Sequence, residues 1–278
     1  MQLLKKLLLT LTATLLLSGA ASPALPIRDA AAPSPCVIVA SDTLLAGMVA
    51  DLLPPSRYRV TALLPPGQCP GHYDLKLSDI EKVNRADLVV GLRGLPFMSA
   101  INLDGRKYLL IDTHGHNWMA PAAYLAGLEI MAAELSARFP QERSAIQNNK
   151  NLTAKRVSLA ALRLRQRLET AKISHKSVIA SAMQKEPLED LGLRVVATYG
   201  RPESISAREI VRLSQVGQRQ HIIAVVDNLQ SGPDTGKGLA ESLKTSHVVL
   251  SNFPSEHGYL ATLEANAGAL LKAANPMP

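Results

Sequence analysis

From position 36 onward the chain alternates short apolar runs with amphipathic stretches. Val37-Ile38-Val39-Ala40 reads as a buried strand, and Thr43 to Leu53 as a helix opened by Ser41-Asp42 and stopped by Pro54-Pro55. Tyr58 to Leu64 is a second strand, broken by Pro65-Pro66-Gly67. A helix capped at Ser78-Asp79 runs to about Ala86. Leu88-Val89-Val90-Gly91 and Lys107 to Ile111 are the third and fourth strands. Strands that alternate with helices imply βαβ units and a parallel sheet. Pro121 then opens a long helical tract, marked at Pro140 and resuming from Gln141 to about Ala171, with Leu159, Leu162, Leu164 and Leu168 as its apolar positions. Thirty helical residues reach about 45 Å, which suits a strut between two lobes.

A second series follows. Strands are expected at Ser177 to Ser181, Arg194 to Tyr199, His221 to Asp227 and His247 to Leu250. Helices are expected at Met183 to Leu191, Ser206 to Gln218, Gly236 to Leu243 and Gly258 to Ala273. The fold class is therefore α/β: two parallel-sheet lobes joined by a long rigid linking helix, with a cleft between the lobes. The boundaries are an N-terminal lobe at 36–140, the linking helix at 141–171 and a C-terminal lobe at 172–278. Ligands of open α/β sheets bind at the carboxyl ends of the strands.

The segment before residue 36 follows a different pattern. Lys5-Lys6 precedes an apolar run from Leu7 to Leu17 that is too short to span a bilayer, and small-residue cleavage sites follow at Ser18-Gly19-Ala20 and Ser22-Pro23-Ala24. Residues 1–24 read as a cleaved signal peptide and 25–35, rich in Ala and Pro, as a flexible leader. Ala stands where a lipoprotein signal carries its Cys, so the expectation is a soluble periplasmic protein and not a lipoprotein. The net charge of +7 is mild, and its basic residues interleave with Leu and Ala from Lys150 to Lys172. That pattern fits the wet face of a helix and not a nucleic-acid surface.

The candidate chemistry lies on loops after strands. Thr113-His114-Gly115-His116-Asn117-Trp118-Met119-Ala120-Pro121 holds two imidazoles and the only tryptophan, and Cys69-Pro70-Gly71-His72 follows the second strand. Imidazole and thiolate suit borderline-soft divalent metals. His72 and His116 are the leading ligands, and His114 is either a third ligand or an orienting partner. Cys69, three residues before His72, lets its loop wrap one ion. Cys36 and Cys69 sit at opposite ends of neighbouring strands, about 17 Å apart for a five-residue strand, which argues against a disulfide.

These segments resemble the metal-binding solute-binding proteins of zinc/manganese-type ABC transporters, the cluster A-I periplasmic binding proteins. Leu64 to Tyr73, with Ser78-Asp79 and Ala86 to Val90, is similar to the first ligand loop, where D-P-H-x-Y is usual. His116 to Pro121 is similar to the H-x-W-x-x-P segment, and Tyr259 to Leu270 to the closing helix. The resemblance implies a divalent transition metal as cargo, zinc first, with no organic cofactor. It implies a monomer that delivers the ion to an inner-membrane ABC permease, without catalysis and without nucleic acid. The chain departs from the pattern at Ser181-Ala182-Met183-Gln184 and Ser251-Asn252, where the third and fourth ligands usually stand. Asp227, Gln230 and His257 are lesser cleft candidates. Two alternatives stay open: a binding protein for a metal chelate or small organic ligand, and a secreted zinc hydrolase, although neither H-E-x-x-H nor G-x-S-x-G occurs.

Overall fold

The first four apolar runs are too short for helices and too apolar for a wet sheet face, so they pair side by side under helices on both faces. In the computed structural model, which describes residues 34–101 and 107–274, they form β1 (Cys36–Ala40), β2 (Tyr58–Ala62), β3 (Leu88–Leu92) and β4 (Tyr108–Ile111). All pairings are parallel, in the order β2-β1-β3-β4. The signal peptide assigned to 1–24, and the leader up to residue 33, lie outside the described residues. The second lobe repeats the plan with β5 (Ser177–Ser181), β6 (Arg194–Tyr199), β7 (Ala224–Asn228) and β8 (Ser246–Leu250), all parallel, in the order β6-β5-β7-β8.

Helices α1 (Thr43–Leu52) and α2 (Leu77–Arg85) serve the first lobe. Helices α5 (Lys185–Asp190), α6 (Ala207–Gln220), α7 (Lys237–Ser242) and α8 (Tyr259–Ala274) serve the second. Between them run α3 (Pro121–Arg138), a 3₁₀ turn at Pro140–Glu142, and α4 (Arg143–Thr170). Pro140 cannot donate a helical hydrogen bond, so the tract breaks there. The 28 residues of α4 span about 42 Å. Its buried positions are Ile146, Thr153, Val157, Ala161, Leu164 and Leu168, a stripe at helical spacing that touches both lobes. Leu159 and Leu162, expected on that stripe, are instead 43% and 51% exposed, because they fall on the opposite side of the helix.

A further difference concerns β7. It begins at Ala224 and not at His221, because α6 runs on to Gln220 and His221 caps it in the left-handed region at φ 46°. Cys36 and Cys69 are both free thiols.

One apolar core joins the inner faces of both sheets through α3, α4 and α8. Tyr124 of α3 stacks on Tyr259 of α8 with centroids 3.8 Å apart. The Tyr259 hydroxyl donates to the Met119 carbonyl at 3.2 Å, and the Thr43 hydroxyl donates to the Pro254 carbonyl at 2.7 Å. These ties leave little room for wide hinge opening. Among the described residues no helix is long and apolar enough to cross a membrane.

Candidate metal centre

The carboxyl ends of both sheets face a common cleft. A cavity of about 410 Å³ there is walled by Thr113, Gly115, His116, Asn117 and Trp118 after β4, by Ala182, Met183, Lys185 and Glu186 after β5, and by Asn252 and Phe253 after β8. The loop after β4 is rooted by Trp118, which is 3% exposed. Its ring lies against Gly127 of α3, where a side chain's first carbon would stand 2.5 Å from the indole. Pro121 starts α3 and fixes the loop's end.

Asn117 is the hub between the lobes. Its side-chain amide donates to the Met183 carbonyl and to Asn252 Oδ1, each at 2.6 Å, while its Oδ1 accepts the Met119 N–H at 2.9 Å. Its backbone N–H donates to Glu186 Oε2 at 2.6 Å. The other oxygen of Glu186 lies 2.9 Å from His116 Nδ1. An imidazole from one lobe and a carboxylate from the other therefore meet on the cavity wall. Glu186 is the residue the sequence reading missed, since it fell inside an expected helix from Met183. The signal for it is Pro187. Proline favours the first turn of a helix, so α5 starts at Lys185 and leaves Glu186 on the exposed end of that turn.

The other candidates are placed elsewhere. Cys69 and His72 flank a 3₁₀ turn, with the His72 N–H donating to the Cys69 carbonyl at 3.2 Å, and neither lines the cavity. His114 also lies off the cavity wall. It sits at φ 52° in a turn, its N–H donating to Asp112 Oδ1 at 2.8 Å. The segment is not extended, so His114 and His116 do not share the same-side geometry of alternate residues on a strand. That N–H, with Arg93 and His114 nearby, holds the Asp112 carboxyl below its usual range.

Asp227 is fully buried and turned away from the cleft. The Tyr199 hydroxyl donates to it at 2.5 Å, the Gly236 N–H donates at 2.8 Å, and His247 Nε2 lies 2.6 Å away. Burial and this carboxylate push the Tyr199 phenol far above its ordinary value. His247 thus partners Asp227 from the start of β8. Gln230 is also buried. Its amide donates to the Ser251 hydroxyl at 2.8 Å and its oxygen accepts the Asn252 N–H at 2.8 Å, so it shapes the loop that carries Asn252. His257 lies in a separate cavity with Asp51, Tyr124 and Arg156. Among the described residues no group of three His, Cys, Asp or Glu side chains is arranged to hold a metal ion.

A profile of the family described as ZnuA, zinc-uptake complex component A periplasmic, matches residues 38–273. The chain belongs to that family. Its work is therefore the capture of a metal in the periplasm for an ABC importer. Among solved structures, the Mn-bound periplasmic metal binding protein from candidatus liberibacter asiaticus aligns at TM-score 0.72 and 17% identity, over 86% of this chain and 99% of that one. The Cd-bound form aligns equally well. A crystal structure of ZnuA aligns at TM-score 0.71 and 17% identity, over 87% of this chain and all of that one. At such identities the likeness is one of fold. No curated protein sequence matches the chain.

Proposed function

We propose that this family member captures zinc in its interlobe cleft, with His116 and Glu186 as the first two ligands. The observation that carries the reading is the 2.9 Å approach of His116 Nδ1 to Glu186 Oε1 across the lobes, on the wall of the cavity. A zinc ion with bonds of about 2.0–2.1 Å to nitrogen and oxygen needs those donors about 3.3 Å apart at a tetrahedral angle. The two residues thus need to part by only a few tenths of an ångström. Imidazole favours zinc over manganese, which prefers oxygen donors. The amides of Asn117 and Asn252 are already committed to each other, so the rest of the shell comes from water or from a group carried in with the metal. His72, Cys69 and His114 join the same ion only after their loops move, since none of them lines the cavity.

In this reading the chain is exported with cleavage of the 1–24 signal, carries no lipid, acts as a monomer without catalysis and hands its ion to an inner-membrane permease. Affinity falls as pH is lowered, because protons compete with metal for the ligand atoms. Equilibrium dialysis against zinc, manganese, copper and nickel, followed by elemental analysis, tests it. About one ion per chain is expected, with zinc retained over manganese. Retention of none of the four metals would falsify the reading.

A further inference from the structure

Leu159 and Leu162 stand in solvent on the outer side of α4, and Leu152, 63% exposed, joins them. At 3.6 residues per turn these three, with Lys155 and Arg163, fall within an arc of about 100° and along about 17 Å of helix. Both basic residues are exposed. Core packing does not account for the stripe, because Ile146, Val157, Ala161, Leu164 and Leu168 bury the opposite side of α4. The other large apolar side chains that reach solvent are isolated in sequence or, like Ile210 and Val211, adjacent, and neighbours in a helix do not share a face.

Charge divides α4 in the same way. Cations on the flanks of the arc are matched by neighbouring elements: Arg156 by Asp51 at 3.3 Å, Arg165 by Asp190 at 2.8 Å, and Arg167 by Glu264. Lys155 and Arg163, inside the arc, hold no carboxylate in an ion pair among the described residues. Glu169, the only carboxylate of α4, lies at the edge of the arc. The basic surface continues past the end of the helix. A cavity of about 510 Å³ on the stripe is lined by Arg163, Gln166 and Thr170. It shares Ala171 with one of about 410 Å³ that carries Lys172, Lys176 and Lys244. Those three lysines likewise make no ion pair among the described residues, whereas Lys82 and Lys150 do.

A line of leucines between basic side chains is the pattern of a helix that lies in the headgroup layer of an anionic membrane. The apolar side chains sink to the acyl boundary, and Lys and Arg meet the lipid phosphates. The face is convex, which suits a fluid surface, and capture for an ABC importer ends at a bilayer. We infer that the outer face of α4, with the lysines beyond its end, docks on an anionic phospholipid surface. The inference does not depend on which residues hold the metal.

Protein purified from the periplasm of an expressing cell is floated with vesicles of phosphatidylcholine alone and of phosphatidylcholine and phosphatidylglycerol in equal parts. Wild type is expected to rise with the anionic vesicles only, and to be released at about 1 M salt, where the screening length is about 3 Å. Lys155→Glu with Arg163→Glu should weaken that binding at least about tenfold, since each basic residue near such a surface contributes about fivefold. Leu159→Ser with Leu162→Ser should weaken it by about as much with the charge unchanged. Arg59→Glu with Arg208→Glu makes the same charge change at exposed positions off the stripe, and should alter binding less than about threefold. Equal losses from the two charge-reversed pairs would mean attraction of a basic chain as a whole and overturn the inference. Unchanged binding by the leucine pair would overturn it too, as would wild type that rises with neither vesicle. Self-association of wild type that the leucine pair abolishes, without flotation, would assign the face to a second copy instead. Metal capture stands in each case, because none of these residues lines the cavity of His116. All the replaced side chains are exposed, so folding stays intact, as thermal melts would verify.

Discussion

The two histidine loops of the first lobe look alike in sequence and are built differently. The loop of His116 is fixed at every level. Trp118 is sunk against Gly127, the Asn117 amide is committed to Met183, Asn252 and Met119, and the His116 ring is met by Glu186 from the other lobe. The loop of Cys69 and His72 is a single 3₁₀ turn, and the guanidinium of Arg201, in the loop after β6, lies against its Gly71. In the proposed reading, preorganisation makes the first the place where binding is decided. A site whose donors are already placed loses little ordering entropy on capture, whereas a loop that must move loses more.

The comparison breaks most visibly at His116. His116→Ala should lower zinc affinity at least about a hundredfold in a competition titration with a chromogenic chelator, since under the proposed function it removes a ligand outright. Glu186→Gln keeps the shape and the hydrogen bond but removes the charge. A loss of about ten- to a hundredfold is expected, the range in which partners of metal-binding histidines act. Cys69→Ser and His72→Ala should each change zinc affinity by less than about threefold. A hundredfold loss at His72 would reverse the comparison and show that its loop closes over the ion.

Much of this was legible in the chain. The alternation of apolar runs and helices gave eight strands in two lobes, and Pro140 marked the break before α4. H-x-W-x-x-P marked the loop that lines the cavity. What the sequence hid were relations across the cleft. Glu186 lay two residues past the place where a ligand was sought, behind a 3₁₀ turn at Ala182–Gln184 that no local pattern announces. Asp227 ends an apolar run, as a cleft carboxylate would, yet its partners Tyr199, Gly236 and His247 are scattered along the chain and draw it inward. The contact of Gly71 with the Arg201 side chain joins residues 130 positions apart.

The smallest expected effect concerns what steadies the weaker loop. Just beyond His72, Tyr73 donates its hydroxyl to Asp79 Oδ2 at 2.7 Å. The Lys76 N–H donates to the same oxygen at 3.1 Å, and Lys82 Nζ lies 3.0 Å from Oδ1. Asp79 thereby closes the first turn of α2 back onto the chain that leaves the loop. Burial alone pushes the Asp79 carboxyl up, but these donors outweigh it and hold it below its ordinary value. Burial and the neighbouring carboxylate push the Tyr73 phenol up to about 12. A folded-state value below the unfolded one means the stabilisation is fully present above the ordinary carboxylate range. It is lost as pH falls through the folded value. Asp79→Asn should therefore cost about 1–3 kcal/mol at neutral pH, the usual loss for hydrogen bonds to a charged group. It should also flatten the fall in stability below about pH 4, read from urea midpoints across pH. Zinc affinity at neutral pH should stay within about twofold of wild type, because the turn that Asp79 braces leads to His72 and not to His116. An equal loss of zinc affinity in Asp79→Asn and in Glu186→Gln would mean that the two loops act as one site.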